Sequence, residues 1–426
     1  MKGICVFKFG GASVKSAQAI RNLADIIKRY SNKNVLVVIS AMGKTTNALE
    51  RILSFYLQGN VSEMEAEFNQ LANYHLTEAL DLANGEKDSL LIAGINGVLN
   101  ELRAKLNTTP LGDYDFCYDQ IVSYGELLST KIVSNYLIME GLPNIWVDIR
   151  SCLISDTNYR EGTIDYEESG YLCQKKFSFI SENLYVTQGF IAGTPIGTTT
   201  TLGREGSDYT AAILANLLNA SDVTIWKDVE GVLNADPKIF PNTQKLNFVS
   251  YQEAIELAYC GAQIIHPKTI KPIQNKQIPL YVKSFVNPVA EGTCIAYSDE
   301  VVKLPPVLVL KRNQVLVSLI PRDYSFVIED CLSKIFAILY KHKVKVNLVQ
   351  NSAISFSVCV DEEKRRLPGA IEELGKEFEV KYNSNLELLT IRHYTQQCIN
   401  ELVGSRVVYL QQRTRSTARF VMDAKF

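Results

Sequence analysis

A lysine and two glycines near the start of the chain form a group suited to binding phosphate, in Lys8-Phe9-Gly10-Gly11-Ala12-Ser13-Val14. Glycines let backbone N–H groups approach an anion closely, and the N-terminus of a following helix adds partial positive charge. Lys8 would stand beside such a pocket as a compact cation. An apolar run suited to a buried strand comes before this stretch, and apolar residues at helical spacing follow it. The stretch is therefore a candidate phosphate site, although an ordinary strand-to-helix turn with an exposed lysine fits the same residues.

A second glycine and lysine pair, in Gly43-Lys44-Thr45, follows the next apolar run along the chain. It has the form of the tail of a P-loop, which would also need a glycine five residues before Gly43. That residue is Val38, so the P-loop interpretation fails. What remains is a polar loop at the carboxyl end of a predicted strand, where open α/β sheets bind ligands.

Ionisable side chains that could bind a small polar substrate occur further along the chain. The predicted helix 119–139 carries Glu126 in Ser123-Tyr124-Gly125-Glu126, and a glycine inside a helix suggests a packing or functional reason. A solvated helix carboxylate is the alternative interpretation of Glu126. The stretch 188–219 combines five glycines, four consecutive threonines and Arg204-Glu205-Gly206-Ser207-Asp208 before an apolar helix. Ser207 or Asp208 could cap that helix, but a cap does not explain the glycines and the arginine, so we favour a ligand-binding loop.

The predicted elements give the order in which these residues are positioned. Strand, helix and strand over the first 40 residues make a βαβ unit, which predicts a parallel sheet covered by helices. Two prolines at Pro305 and Pro306 mark a linker. Beyond them a βαββαβ pattern of the ferredoxin-like kind follows, from a strand over 313–319 to a closing strand over 378–382. A similar but shorter pattern then begins with a strand over 386–392 and stops before a second helix. We therefore predict a catalytic domain over 1–303, an α+β module over 307–383 and an incomplete second module over 384–426.

Composition excludes several classes of function. The chain has 426 residues, 46% hydrophobic and 21% charged, with a formal net charge of -2, so no basic field predicts nucleic-acid binding. Nine cysteines without a C-x-x-C pair, and four histidines without ligand spacing, argue against a structural zinc site. No apolar run approaches the roughly 18 residues that span a bilayer. We expect a cytoplasmic protein that does not interact with membranes, with reduced cysteines.

With these stretches in place, the chain resembles the aspartate kinases, members of the amino acid kinase family with C-terminal ACT regulatory domains. The resemblance rests on motifs in the same order and spacing: 8–14, 40–47, 123–126, 199–212, 226–237 and 261–268. It implies an α/β catalytic domain with a mainly parallel sheet between helix layers, followed by ferredoxin-like ACT modules. The implied reaction transfers a phosphoryl group from ATP, bound with Mg²⁺, to the side-chain carboxylate of L-aspartate. The product, 4-phospho-L-aspartate, begins the synthesis of lysine, threonine and methionine.

The resemblance also assigns roles to residues of this chain. Lys8 would bridge the transferred phosphoryl group, and Asp208 would organise Lys8 and the Mg²⁺ that arrives with the nucleotide. Arg204 would bind the α-carboxylate of aspartate, and Glu126 its α-ammonium group. The remaining residues implied for aspartate are Ser40, Thr46 and Ser207. Those implied for ATP, with Lys8, are Gly10, Gly11, Ala12, Lys227, Asp228, Leu233, Lys238 and Gln263. No separate protein metal site is implied.

The chain departs from the family pattern at several of these positions. The family has glycine where Glu205 stands, and its usual threonine, arginine and lysine are replaced by Ala12, Lys238 and Gln263. In the ACT module, lysine-inhibited members carry an aspartate and a glutamate where this chain has Asn347 and Ala353. An ammonium-bearing effector would lose its charge partners there, so we expect weak or absent inhibition by lysine. ACT modules commonly pair across a two-fold axis, which predicts a homodimer.

Two other functions remain open at this point. Another amino acid kinase, acting on glutamate or N-acetylglutamate, would use the same fold, although the ACT-like region and the motif ending in Glu126 favour aspartate. A catalytically weak amino acid sensor subunit is suggested by Glu205, Gln263 and the short C-terminal module. The presence of Lys8 and Asp208 argues against that sensor.

Overall fold

The computed structural model describes residues 3–262, 265–300, 302–323 and 325–425. The chain divides into two compact units. The first comprises Met1–Val232, Asn247–Ile255 and Ile265–Val302. The second comprises Leu233–Leu246, Glu256–Ile264 and Lys303–Phe426. No helix of the described residues has both the length and the apolar character needed to cross a bilayer.

Helices and strands alternate through most of the chain. The helices are α1 (Ala17–Lys28), α2 (Thr45–Gln58), α3 (Val61–Leu82), α4 (Leu90–Leu106), α5 (Tyr114–Val122), α6 (Tyr124–Met139), α7 (Tyr166–Lys176), α8 (Gly206–Leu217), α9 (Tyr251–Cys260), α10 (Pro267–Gln274), α11 (Glu329–Lys341), α12 (Leu367–Leu374) and α13 (Gln396–Val403). The strands are β1 (Ile4–Phe9), β2 (Asn34–Ile39), β3 (Ile145–Val147), β4 (Leu184–Gln188), β5 (Ile191–Gly193), β6 (Thr199–Thr201), β7 (Asp222–Lys227), β8 (Val232–Leu233), β9 (Lys245–Leu246), β10 (Phe248–Ser250), β11 (Leu280–Ser284), β12 (Thr293–Ala296), β13 (Val307–Pro321), β14 (Val346–Asn351), β15 (Phe356–Asp361), β16 (Phe378–Arg392), β17 (Val408–Arg413) and β18 (Thr417–Asp423).

The first unit is built on a large sheet in the order β10-β12-β11-β7-β1-β2-β4-β3. The pairs from β11 through β7, β1, β2 and β4 to β3 are parallel, whereas β12 runs antiparallel to β11. Strands β2 and β4 are buried along almost their whole length. Such strands need cover on both faces, which the helices between them provide. The predicted α/β fold with a mainly parallel sheet is confirmed.

The second unit contains an antiparallel sheet in the order β14-β15-β13-β16-β18-β17. Strands β13 and β16 are each 15 residues long and pair along their length, with register shifts between Lys311 and Leu316. The sequence predicted a strand only from Asn313, and it predicted two strands where β16 is continuous. At the irregular part of this pair, Asn313 and Asn385 have positive φ angles of 54° and 56°, so the chain kinks locally while the ladder continues.

Two α+β modules share this sheet, and one is inserted into the other. The inner module runs from the second half of β13 to the first half of β16, around the core of Val317, Ile335 and Phe356. The first residues of β13 pair instead with Leu388–Arg392, and so belong to the outer module with α13, β17 and β18. Ala235 and Phe240, from the segment 233–246, complete the outer core. The second module, which appeared incomplete in the sequence, is thus completed by residues that precede the inner one.

Candidate active site

Three neighbouring parallel strands end in register at the same edge of the large sheet. Strand β1 pairs with β2 on one side and with β7 on the other, up to the last residue of β1. The residues that follow these pairs, namely Gly10, Ser40 and Lys227, therefore lie at one edge. Open parallel sheets bind ligands at this edge, outside the carboxyl ends of the strands.

The alternation of side chains along β1 places Lys8 opposite the aromatic core. Phe9 stacks on Trp226 with ring centroids 6.0 Å apart, and Phe7 packs edge-on against the same indole. Because successive strand residues point to opposite faces, Lys8 lies on the other face. There its Nζ lies 2.6 Å from Asp208 Oδ1, and the two side chains are only 10% and 1% exposed. A buried lysine is rare unless it is paired, and Asp208 provides the partner.

Asp208 connects two lysines through its two carboxylate oxygens. Its Oδ2 lies 4.0 Å from Lys227 Nζ, at the end of β7. Asp208 stands in the first turn of α8, which begins at Gly206, and the residue before the helix, Glu205, makes no side-chain capping bond. The capping alternative for Ser207 or Asp208 is therefore wrong: both residues are already helical. From this position inside the helix, the Asp208 carboxylate pairs with Lys8 and Lys227.

Gly11 stands where the loop after β2 approaches too closely for a side chain, and Gly10 leaves room beside the Lys8 ammonium. A Cβ on Gly10 would lie 3.3 Å from Lys8 Nζ, and one on Gly11 would lie 2.7 Å from the carbonyl oxygen of Ala41. The backbone N–H of Gly43 donates to the carbonyl of Gly11 at 3.0 Å. The loops after β1 and β2 are thus held against each other, and the backbone beside the Lys8 ammonium stays accessible.

Glu126 is a buried carboxylate with one oxygen left without a protein partner. The N–H of Ala41 donates to Oε1 at 3.1 Å, whereas Oε2 has no hydrogen bond within the described residues. Burial raises the pKa of Glu126 to about 8, against the lowering effects of the Ala41 N–H and of the nearby Lys8 charge. The Oγ of Ser123, one turn earlier, is also buried and unpaired among the described atoms. Buried polar atoms without partners are uncommon, so this pair points to a polar ligand.

Helix α6 approaches the loop after β2 through Gly125. The single helix predicted over 119–139 is in fact α5 and α6, which are divided at Ser123. A methyl group on Gly125 would lie 2.8 Å from the Cβ of Ala41 and 3.3 Å from Leu49 Cδ1. This close packing brings Glu126 within reach of the Ala41 N–H, and it gives the glycine in the motif a structural reason.

Replacement of Gly125 by alanine is expected to lower the stability of the protein by about 1–3 kcal/mol, since the added methyl group overpacks α6 against Ala41. Gly97 is the matched control, because it lies in α4 with nothing within 4 Å of an added Cβ. There alanine should stabilise the helix by about 0.5–1 kcal/mol. Urea denaturation midpoints measure both effects. If Gly125→Ala were as stable as Gly97→Ala, the close contact would be wrong.

The loop that carries Arg204 and Glu205 has an unusual backbone. Glu205 adopts the left-handed conformation, with φ 56° and ψ 27°. Glycine enters this region without a steric penalty, whereas other residues pay about 1–2 kcal/mol. The glycine that the family pattern has at this position thus has a conformational explanation. Arg204 is exposed, so its guanidinium is available to a ligand.

The other residues implied by the resemblance fall into three groups. Ser40 and Thr46 are half-buried around the loop after β2, and Ser207 lies in α8 against Gly189. Ala12 and Asp228 are exposed, in the turn after β1 and just beyond β7. Leu233 and Lys238 belong to the second unit. Gln263 lies outside the described residues. The binding roles of all these residues stay predictions.

Sequence reasoning missed three residues that contact the loop around Arg204. They are Asp119 and Gln120, in α5, and Lys268, in α10. Asp119 stands only seven residues before Glu126, yet a polar residue in a helix is normally solvated. Lys268 closes the last recognised motif, but its type alone carries no signal. Only their burial and hydrogen bonds distinguish them.

The chain is similar to known proteins along most of its length. Residues 3–284 match the model of the amino acid kinase family. The chain is 35% identical over 293 residues to bifunctional aspartokinase/homoserine dehydrogenase 1, chloroplastic, of Zea mays, covering 68% of this chain and 32% of the relative. It is 32% identical over 363 residues to lysine-sensitive aspartokinase 3 of Escherichia coli, covering 85% of this chain and 79% of that one. The chain thus spans about a third of the length of the bifunctional plant relative.

A solved structure matches the whole fold. The crystal structure of E. coli aspartokinase III in complex with aspartate and ADP (R-state) superposes with a TM-score of 0.79. The match covers 99% of this chain and 96% of that one, at 28% sequence identity. Both units of this chain therefore have counterparts in one kinase structure.

Proposed function

This chain belongs to the amino acid kinase family, and from that premise we propose that it is an aspartate kinase, which phosphorylates the side-chain carboxylate of L-aspartate with ATP. The observation that carries the proposal is the buried Glu126, whose Oε2 has no hydrogen-bond partner among the described residues. An α-ammonium group would satisfy this oxygen. Arg204, exposed on a loop of the same unit, would bind the α-carboxylate by a bidentate pair.

In the proposed reaction, the rate enhancement comes mainly from positioning the substrates and from stabilising charge in the transition state. A side-chain carboxylate oxygen of aspartate attacks the γ-phosphorus of ATP, the bond to the bridging oxygen breaks, and ADP leaves. The attacking carboxylate is already ionised at neutral pH, so no strong general base is required. The Lys8 ammonium stabilises the charge on the phosphoryl oxygens, and Asp208 holds that ammonium in place. Lys227 adds a second positive charge beside Asp208.

We propose that Mg²⁺ enters with the nucleotide. Within the residues that the structure describes, no group of three or more acidic, histidine or cysteine side chains is arranged to hold an ion. Mg²⁺ commonly takes phosphate and water ligands with only one or two carboxylates, and Asp208 is the buried carboxylate at the strand ends. When bound, the ion neutralises phosphate charge. The homodimer and the cytoplasmic location remain part of this proposal, on the grounds given by the sequence.

The direct test is an assay with ATP, Mg²⁺, L-aspartate and hydroxylamine, in which aspartyl hydroxamate reports the acyl phosphate. Product with aspartate and none with glutamate is the expected result. Product with glutamate or N-acetylglutamate alone would instead indicate the other type of amino acid kinase. No turnover with any of them, together with measurable aspartate binding, would indicate a sensor subunit.

Inhibition by L-lysine is expected to be weak or absent. The position at which lysine-inhibited members carry an aspartate is here Asn347, whose Oδ1 accepts a 2.8 Å hydrogen bond from Lys311 Nζ. Its amide nitrogen donates to Gln314 and to Asp361, so the side chain is fully engaged. The ammonium group of the protein's own Lys311 thus already lies where an effector ammonium would be expected.

The measurement is the hydroxamate rate at increasing L-lysine, with D-lysine at equal concentration as the control for ionic strength. Both curves should coincide. Half-inhibition by L-lysine at submillimolar concentration, without the same effect of D-lysine, would contradict the prediction.

A further inference from the structure

Two adjacent polar residues of helix α5 hold strand β6 through its backbone. The Gln120 amide donates from Nε2 to the Thr199 carbonyl at 2.8 Å and accepts at Oε1 from the Thr199 N–H at 3.2 Å. The Asp119 carboxylate accepts from the Thr201 N–H at 2.9 Å and from Thr201 Oγ1 at 2.7 Å. Strand β6 otherwise pairs only with β5 among the described residues. These side chains therefore take the place of a third strand.

Asp119 also fixes a second segment. Its Oδ2 accepts the N–H of Arg160 at 2.8 Å, so one carboxylate oxygen joins the loop around Arg160 to β6. The Thr201 carbonyl accepts from the N–H of Gly162 at 3.0 Å. Asp119 is fully buried, and burial raises the pKa of its carboxyl, against the lowering effect of these donors. A buried carboxylate that accepts three hydrogen bonds holds the donating segments in fixed positions, which a solvated surface carboxylate does not.

Arg204 stands three residues after Thr201, which Asp119 holds. Lys268 Nζ donates to the Leu202 carbonyl at 2.9 Å, while its ammonium group lies 4.7 Å above the ring of Tyr209. The backbone is thus held on the side of Thr201 by Asp119 and at Leu202 by Lys268. An exposed arginine on a free loop would lose much of its binding energy in ordering that loop, and a loop that is already fixed avoids this loss.

We propose that Asp119 is a positioning residue for the substrate: it holds the backbone that presents Arg204 to the α-carboxylate of the amino acid. The proposal rests on the proposed function and deepens it. Helix α5 carries Asp119 and helix α6 carries Glu126, seven residues later. The pair of helices would therefore serve both polar groups of the substrate, the carboxylate through Asp119 and Arg204 and the ammonium group through Glu126.

The test is a double-mutant cycle of Asp119→Ala and Arg204→Ala, with kinetics measured for both substrates. Asp119→Ala should raise KM for aspartate by about tenfold to 100-fold, as expected when a binding group is misplaced by about 1 Å. KM for ATP should stay unchanged. Because Asp119 acts through Arg204, the double variant should have nearly the KM of Arg204→Ala alone. Full additivity, or an equal rise in KM for ATP, would overturn the proposal.

A substrate without the α-carboxylate adds a second criterion. β-Alanine retains the ammonium group and the reacting carboxylate of aspartate, so any slow turnover of it should be unaffected by Asp119→Ala. A parallel loss with β-alanine would show a general structural role and overturn the proposal. Asp119→Asn is the conservative rescue, since its oxygen can accept both N–H groups and its nitrogen can donate to Thr201 Oγ1. It should regain most of the affinity for aspartate.

Failure of the proposed function and failure of the positioning role give different results. If wild-type protein forms no aspartyl hydroxamate, the proposed function itself fails, whatever the double-mutant cycle gives. If wild-type protein is active but the Asp119 variants bind aspartate normally, only the positioning role fails. Should Asp119→Ala not fold, Thr201→Val removes only the hydroxyl bond, and it enters the same cycle with an expected effect of about threefold.

Discussion

Replacement of Lys8 by alanine is expected to lower kcat by about 10³-fold or more, because the phosphoryl group loses the cation that stabilises its developing charge. Binding of aspartate should change little, since Glu126 and Arg204 are untouched. The same substitution leaves the Asp208 carboxylate, 1% exposed, with Lys227 at 4.0 Å as its one ion-pair partner among the described residues. Breaking a buried ion pair typically costs about 3–5 kcal/mol, so the single variant should also be less stable.

A second variant separates the chemical effect from the loss of stability. In Lys8→Ala combined with Asp208→Asn, the unpaired buried charge is gone, so the denaturation midpoint should move back toward that of the wild type. The activity should not return with it. Hydroxamate formation and urea denaturation measure the two properties on the same preparations. Near-normal turnover in Lys8→Ala would show that the assignment of Lys8 is wrong.

Glu126→Gln is expected to raise KM for aspartate by about 100-fold, in the range found when one partner of a buried charge pair is removed. Glutamine keeps the shape of the side chain and can still accept from the Ala41 N–H. It removes the charge that would bind the α-ammonium group. KM for ATP should remain within about twofold of the wild-type value, since the nucleotide is expected beside Lys8 rather than beside this carboxylate.

The pH dependence follows from the raised pKa of Glu126, about 8 in the ligand-free protein. Below this pH the carboxyl is mostly protonated, and an ammonium ligand must displace that proton. Affinity for aspartate should therefore rise by about tenfold per pH unit up to near pH 8 and then level off. Glu126→Gln should bind aspartate with little pH dependence in the same range.

Calorimetry provides the decisive measurement. At pH 7 wild-type protein should release about one proton for each aspartate bound, as read from titrations in buffers of different ionisation enthalpy. Between the ordinary pKa of 4.5 and about 8 the folded chain holds this proton and the unfolded chain does not. This residue's contribution to stability therefore falls as pH rises through that window. Proton-free binding at pH 7 would contradict the assignment of Glu126.

The large sheet could be predicted from the sequence because its strands are continuous apolar runs. Strands of a parallel sheet are buried on both faces, so β2 and β4 stand out without any alternation. The first residues of β13 could not be predicted, because polar residues at the exposed kink around Asn313 interrupt its apolar pattern. The pairing of β13 with β16 nevertheless continues on both sides of this kink. The break at Ser123 was equally invisible, since Ser123 itself keeps helical backbone angles of -56° and -21°.

Only those residues of the candidate site that belong to recognisable sequence motifs could be predicted. Lys8, Glu126, Arg204 and Asp208 belong to short stretches with a recognisable order. Asp119 does not, because its importance depends on hydrogen bonds to residues 41 and 82 positions away. The capping alternative fails for a related reason: local sequence allows Ser207 or Asp208 as a cap, but the carboxylate of Asp208 pairs with the buried ammonium of Lys8.

The insertion of one module into the other has a consequence for the order of folding. The first residues of β13 must find their partners in Leu388–Arg392 across a loop of roughly 75 residues, which is costly to close in an unfolded chain. Once the inner module has formed, it brings these ends together, and the outer strands only extend a ladder that already exists. The inner module is therefore expected to form first. A destabilising change in its core, for example at Ile335, would delay both modules, whereas one at Ile399 in α13 would leave the inner module able to form.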